Sequence, residues 1–470
     1  MIAREREQRE LNDAFRSERS QFIAVYGRRR IGKTFLVKET FEGRFSFRHT
    51  GLANADKKQQ IAVFKKSLKK AGMRSSTPIA DWYTAFDRLE ELVDAMPVGR
   101  KVIFLDEVPW MDTGRCEFVS ALEHFWNGWA DYRKDVLLII CGSATSWMID
   151  KVIRDKGGLH NRVTRNIFLE PFTLGECEKY VKSRGWQMSR MEIAETYMAI
   201  GGVPYYWTLL ERGYSVAQNF DLLFFNSRAR LKDEFSLLYR SLFRRTEGHV
   251  RIIQTLGRKK VGMTGEELSL IGRIPRNGHF RKMLAELEQC GFIRKYTGFG
   301  SKRSAAVYQL IDNFTLFYFK FLDGEKNLDE NFWKTHISSP GVYNWRGLAF
   351  ERVCLQHIAQ IKRKLGIEGV STKVYAWSGA TTGGKGVQID LLIDRADNVV
   401  NVCEMKFTNG AYEISAEEDM KLQTRVEAFA NTAGEGRTIH LTMVTSRGLV
   451  PNAYSRNVQS EIMLSDLFNS

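Results

Sequence analysis

Long hydrophobic runs are missing from this sequence: no apolar stretch approaches the roughly 20 residues that a bilayer span requires. The opening residues, MIAREREQRE, are charged and lead into no apolar stretch, so no secretory signal is expected and the cytoplasm is the expected compartment. Paired cysteines are missing too. Cys116, Cys141, Cys177, Cys290, Cys354 and Cys403 are scattered without a CxxC, which argues against a disulfide framework or a zinc site and for reduced thiols. Internal repeats and low-complexity tracts are absent as well. At 470 residues the chain is too long for one core and should divide into three or four domains.

Acidic residues are in deficit. Against 70 Lys and Arg stand 55 Asp and Glu, giving a formal charge of +15, which points to a polyanionic partner, most simply nucleic acid. The excess is concentrated: Arg240 to Arg303 hold 15 Lys and Arg against 5 Asp and Glu, a net +10.

Between residues 22 and 170, short apolar runs alternate with longer amphipathic stretches. Phe22–Tyr26, Arg44–His49, Val102–Leu105, Val136–Cys141 and Asn166–Leu169 read as strands. Lys33–Thr40, Lys57–Ala71, Trp82–Ala95 and Glu117–Trp129 read as helices. This alternation predicts an α/β fold, a parallel sheet covered on both faces. Helical periodicity then takes over to about residue 243, a small mixed segment follows, and a second α/β pattern runs from about 341 to the end. The expected domains are 1–170, 171–243, 244–340 and 341–470, with the clearest boundary near Ser338–Gly341 after a polar stretch, Asp323–Pro340.

Gly27-Arg28-Arg29-Arg30-Ile31-Gly32-Lys33-Thr34 satisfies GxxxxGK(S/T) between a strand and a helix, the context in which this motif cradles phosphates. The glycines let backbone N–H groups point at the phosphates, and the helix N-terminus adds partial positive charge. Lys33 is expected to reach the β- and γ-phosphates of ATP, and Thr34 to ligate Mg²⁺. The second half of the site is the run from Lys101 to Glu107: four apolar residues set Asp106 at a strand's C-terminal edge to hold the Mg²⁺ shell, with Glu107 beside it to polarise a water. The separation of Thr34 from Asp106 leaves room for an additional strand, near residues 44–49, between the two motif strands.

These residues resemble the archaeal-type P-loop ATPases of the AAA+ and STAND-related branch. The RExxEL element is matched by Arg6-Glu7-Gln8-Arg9-Glu10-Leu11, the sensor strand ending in GS by Leu138 to Ser143, and GGxP by Gly201-Gly202-Val203-Pro204. The resemblance covers about residues 1–240. It implies that RExxEL lies beside the adenine, that Ser143 senses the γ-phosphate, and that Pro204 touches the base in a helical lid. It also implies an arginine finger among Arg154, Arg162 and Arg165. Arg162 is the chosen candidate, and a finger serving a neighbouring copy would require a homo-oligomer.

In the basic middle segment, Thr264 caps a short helix with Glu267 three residues on. A second helix from His279 has Phe280, Met283, Leu284 and Leu287 on one face, and two strands follow, with Lys302 and Arg303 at the tip between them. The order looks like a winged helix, whose second helix would set Arg276, His279, Arg281 and Lys282 against DNA.

At the C-terminal end, Asp390 lies in a strand-like run and is separated by thirteen residues from Glu404 in Glu404-Met405-Lys406. This is the D…ExK pattern of the PD-(D/E)XK nuclease fold. Two carboxylates on paired strands would hold Mg²⁺ or Mn²⁺, and period-two alternation puts Lys406 on the face of Glu404. Lys406 could then orient or deprotonate the attacking water and stabilise charge on the phosphate. Glu351, on an upstream helix, is the candidate further metal ligand, and Gln423 a candidate substrate contact. Archaeal-type ATPases frequently carry such a C-terminal domain, so the resemblance extends over most of the chain. The expected function is ATP hydrolysis controlling a Mg²⁺-dependent nuclease on DNA. The alternatives are a STAND-like switch with a non-cleaving C-terminal domain, or a transcription regulator acting through the winged helix.

Overall fold

The computed structural model describes residues 2–469 apart from 75–77, 115, 155–158, 160, 244–245, 300–305, 325–328, 381–383, 385 and 434–435. The chain forms two compact units, Met1–Glu170 with Ser241–Arg244, and Pro171–Arg240 with Arg245–Ser470. Among the described residues no helix is long and apolar enough to cross a membrane. All six cysteines are free thiols.

In the first unit the apolar runs become β1 (Gln21–Tyr26), β2 (Phe45–Thr50), β3 (Lys101–Asp106), β4 (Val136–Gly142) and β5 (Arg165–Phe168), in the order β2-β3-β4-β1-β5. Every pairing is parallel. Longer helices flank the sheet, among them α1 (Glu5–Phe15), α2 (Lys33–Thr40), α3 (Lys57–Lys70), α4 (Trp82–Asp94) and α5 (Phe118–Phe125). One core joins Leu11, Leu36 and Val37 of α1 and α2 to Ile23, Val25 and Val102; the other joins Phe64, Trp82, Phe86 and Phe125 to Phe22, Leu105 and Leu138. The alternation of strand residues between the two cores is the period-two pattern of a sheet buried on both faces.

The strand expected between the motif strands is placed differently. β2 lies at the sheet edge beyond β3, and β4 separates β1 from β3. The physical reason is composition: β4 (VLLIICG) is buried at every position, whereas β2 exposes Arg48 and Thr50, which an edge tolerates.

In the second unit, α6 (Glu247–Gly257), β6 (Met263–Thr264), α7 (Gly265–Gly272), α8 (Gly278–Gln289), β7 (Ile293–Tyr296) and β8 (Val307–Leu310) follow one another, the strands pairing antiparallel as β6-β8-β7. Thr264 and Glu267 form the expected capping box, and Phe280, Met283, Leu284 and Leu287 are buried. Lys302 and Arg303 lie outside the described residues. Within the stretch read as a polar linker, Phe332–His336 is helical, and Trp333 is buried among Phe220, Phe317, Phe321 and Trp345. Ser339 then caps the 17-residue helix α9 (Pro340–Gln356).

The last sheet contains β9 (Thr372–Ala380), β10 (Gly386–Arg395), β11 (Val399–Lys406), β12 (Thr438–Thr445) and β13 (Ser460–Met463), ordered β13-β12-β11-β10-β9. β9, β10 and β11 form an antiparallel meander. Helix α10 (Ala416–Ala433) then carries the chain to β12, parallel to β11, as such a crossover requires.

Candidate functional site

The phosphate loop begins where β1 ends. Gly27 has φ of 145° and packs so closely that an added Cβ would lie 2.5 Å from the Leu169 carbonyl oxygen. Gly32, at φ 93°, adopts the left-handed conformation that turns the loop into α2. Arg30 also has positive φ, 68°, a strained conformation for a side-chain-bearing residue. Ile31 and Arg28 are buried, while Arg29 and Arg30 are partly exposed. Lys33 is buried at the start of α2, and its Nζ donates to the carbonyls of Gly27 and Arg28 at 2.9 Å each. These are weaker acceptors than phosphate oxygens, to which the same ammonium can turn.

Across the loop, Thr34 Oγ1 donates to Asp106 Oδ2 at 2.9 Å and lies 3.1 Å from Oδ1. Burial and the neighbouring Glu107 charge push the Asp106 carboxyl above its ordinary value, against the opposing influence of Thr34, Cys141 and Lys33. A buried carboxylate short of positive charge, facing a hydroxyl, is a donor set that fits Mg²⁺. Thr34 and Asp106 are the residues that would hold it, supplying charge neutralisation at phosphate oxygens.

Glu107 has φ of 51°, a left-handed conformation at the strand's end. Both of its oxygens are held by Ser143 at the end of β4: the backbone N–H donates to Oε2 at 3.1 Å, and the hydroxyl to Oε1. The structure thus brings Lys33, Thr34, Asp106, Glu107 and Ser143 to the C-terminal edge of one parallel sheet. Arg4 escaped the sequence reading. Buried at the start of α1, it donates to the Glu170 carbonyl at 2.7 Å and reaches the Ile31 carbonyl of the phosphate loop at 3.5 Å. Arg6 and Glu10 pair along α1 at 3.1 Å.

Arg162 precedes β5, at the opposite, N-terminal edge of the parallel sheet, in an exposed pair with Asp131 at 3.1 Å. Arg165 Nη1 donates to the Glu10 carbonyl at 2.9 Å. Arg154 is the candidate at the loop end of the sheet, where its charge acts on Tyr26. Pro204, in the second unit, opens the helix Pro204–Thr208; beside it, Gly202 accepts from Phe172 N at 2.7 Å, and Gly201 from Trp207 Nε1 at 2.8 Å.

The second constellation forms on β10 and β11. The β10–β11 ladder ends with Leu391 paired to Cys403, and Asp390 and Glu404 are the residues next to that last pair, one on each strand. A bulge between Ile389 and Leu392 reorients β10 at that point. Glu404 and Lys406 share the face that α10 covers: Lys406 Nζ lies 3.0 Å from Glu404 and 2.7 Å from Glu418, and Arg425 donates to Glu404 at 2.6 Å. Burial alone would depress the Lys406 pKa, but Glu404 and Glu418 outweigh it and raise it above its ordinary value. Held between the Glu404 and Glu418 carboxylates, Lys406 has a charged environment that favours its ammonium form.

Glu351, on α9, pairs with Lys260 at 2.8 Å, and its pKa is raised by burial first and then by the Asp390 charge. Arg294 and Arg352 also feel Asp390; burial and Arg352 pull Arg294 down to about 10. The Arg425 guanidinium feels both Glu404 and Asp390, which joins Glu351, Asp390, Glu404 and Lys406 in one electrostatic neighbourhood. Among the described residues no three His, Cys, Asp or Glu side chains converge to hold a metal ion. Glu418 and Arg425 were not singled out from the sequence; they act from one helix at i and i+7, a spacing that signals a shared face but no chemistry. Gln423 bonds to Asp419 on the same helix, at 3.4 Å. At the start of α8, Arg276, His279, Arg281 and Lys282 are all exposed.

Residues 1–210 match the family described as an ATPase domain predominantly from Archaea. An uncharacterized protein of Methanocaldococcus jannaschii is 22% identical over 404 residues, 83% of each chain. Among solved structures, a Walker-type ATPase of Pyrococcus abyssi aligns over 67% of this chain and 95% of its own, at 15% identity and a TM-score of 0.48. The ORC2 protein of Aeropyrum pernix aligns over 76% of this chain and 96% of its own, at 12% identity and a TM-score of 0.41. The phosphate loop, the Thr34–Asp106 pair and Glu107, gathered at one sheet edge, all lie within the residues that are similar to an ATPase domain predominantly from Archaea.

Proposed function

We propose that this protein hydrolyses ATP and uses nucleotide state to control a Mg²⁺-dependent nuclease acting on DNA. The ATPase half of the reading rests on the Thr34–Asp106 contact beside Glu107, which sets a cation site and a base on adjacent residues. Lys33 leaves the Gly27 and Arg28 carbonyls for phosphate oxygens, and Glu107, once released by Ser143, orients and deprotonates water. Because Arg162 lies at the sheet edge opposite its own phosphate loop, an arginine finger at that position acts in trans, within a homo-oligomer.

The nuclease half is carried by one observation: Asp390 and Glu404 adjoin the last paired residues of neighbouring strands, Leu391 and Cys403, with Lys406 beside Glu404. In this reading the two carboxylates hold Mg²⁺ or Mn²⁺, which supplies Lewis acidity at the scissile phosphate, and Lys406 stabilises the charge that develops there. Glu351 supports Asp390 from α9. The α6–β8 segment acts as a winged helix, with exposed Arg276, His279, Arg281 and Lys282 toward DNA.

A second reading, a nucleotide-driven switch that binds nucleic acid or a partner without cutting, is favoured by a specific feature. Glu404 and Lys406 are already neutralised by Arg425 and Glu418. Cleavage of labelled plasmid and single-stranded DNA with Mg²⁺ or Mn²⁺, with and without ATP, separates the two. Metal-dependent cutting by the wild type that Lys406→Ala abolishes is the expected result; no cutting alongside intact ATP hydrolysis would establish the switch.

A further inference from the structure

Away from the phosphate loop, the free edge of β2 borders a groove of about 590 Å³. Lys38 reaches it from α2, Arg48 from β2, and Lys66 and Lys70 from α3. Because α2 and α3 cover opposite faces of the sheet, the cations flank the edge from both sides. Among the described residues no Asp or Glu lines this groove, and none of the four cations makes an ion pair. All four are exposed. Behind them, α3 (KKQQIAVFKKSLKK) carries six lysines and no acidic residue, with Lys57 alone drawn off by Glu117 at 2.7 Å. A helix of 14 residues makes this a charged ridge about 21 Å long.

Uncompensated charge of one sign repels itself, and focusing it in a concave surface raises the local potential for a polyanion. We propose that the β2 groove binds the phosphate backbone of a nucleic acid, as a contact of the ATPase domain separate from the α8 surface. The proposal rests on the reading that this chain binds nucleic acid. That reading favours a nucleic acid over an acidic peptide, since one polyanion also satisfies the net +10 between Arg240 and Arg303. Lysines along a sheet edge also discourage strand pairing between copies, and the test separates that role from binding.

The experiment uses the full chain and a fluorescently labelled DNA duplex, with anisotropy read from low to moderate salt. One variant combines Arg48→Gln, Lys66→Gln and Lys70→Gln; a second combines Arg281→Gln and Lys282→Gln in α8. The groove variant should keep ATP binding, lose roughly tenfold or more in DNA affinity at physiological salt, and show a log K against log salt slope shallower by about 3. Unchanged affinity and slope overturn the proposal, as does loss of polyglutamate binding with DNA binding intact. If the α8 variant alone loses DNA, the groove is refuted while the nucleic-acid reading stands. If the groove variant alone does, the groove stands and the role given to α8 falls. Should the triple variant lose ATP binding, Lys66→Gln and Lys70→Gln singly, at exposed helix positions, must each make the slope shallower by about 1.

Discussion

Glu107 combines a strained backbone with a carboxylate whose oxygens are both engaged by Ser143. A left-handed φ on a side-chain-bearing residue costs about 1–3 kcal/mol and persists where the surroundings impose it. Glutamine is nearly isosteric, and its amide can still accept from the Ser143 N–H and bond the hydroxyl. Glu107→Gln should therefore leave nucleotide affinity within about twofold and lower kcat for ATP hydrolysis by about a hundredfold or more. Lys33→Ala should instead abolish nucleotide binding. Equilibrium binding of a fluorescent nucleotide and single-turnover hydrolysis distinguish the two, and normal kcat in Glu107→Gln would remove this residue as the base. Lys33, Thr34, Asp106 and Glu107 were legible because each motif packs its chemistry into a few consecutive residues. Arg4, Glu418 and Arg425 were not, because each reaches its partner from another element.

At the scale of elements, the strands of the first sheet could be read from their apolar runs, but their spatial order could not. The sequence position of β2 lies between the motif strands, while its exposed Arg48 and Thr50 suit it to the edge. The same limit applies to the segment after β7. Gly298 bridges Ala376 of β9, and the Phe299 ring lies 4.9 Å from Phe429 and 5.5 Å from Tyr375. A phenylalanine between two glycines reads as a loop tip, yet it packs against the core shared by β9, β10 and α10. Phe299→Ala should destabilise the second unit by about 2 kcal/mol, less than a fully buried phenylalanine because the ring is only partly covered. Urea unfolding followed by tryptophan fluorescence measures this. A loss under about 0.5 kcal/mol would mean that the segment's packing contributes little to stability.

Across the whole molecule, the response to acid is a sum of buried groups with opposite signs. His357 is fully enclosed, with Nδ1 donating to the Val353 carbonyl at 2.7 Å and Nε2 accepting from Leu174 N–H at 2.9 Å, an arrangement available only to a neutral ring. Burial pulls its pKa down to about 4, and His49 in the first unit is likewise lowered to about 4. Below pH 6.5 the unfolded chain takes up protons that these folded rings refuse, so the stability each contributes at neutral pH is lost as pH falls toward 4. Glu90 acts in the other direction: burial, Asp87 and Asp94 raise it to about 7, so the folded state gains from its protonation as pH falls. Burial likewise raises Glu351 and Asp221, which also offset the histidines. The net slope is thus a poor reporter, and the single group is isolated by difference. The cost of His357→Gln, measured by urea unfolding, should be smaller at pH 5 than at pH 7 by about 2 kcal/mol. Glu90→Gln should stabilise more at pH 7.5 than at pH 5, because only at the higher pH does it remove a charge the fold disfavours. Equal costs for His357→Gln at both pH values would mean that the folded ring accepts its proton as readily as the unfolded one. The donor and acceptor roles assigned to Val353, His357 and Leu174 would then be wrong.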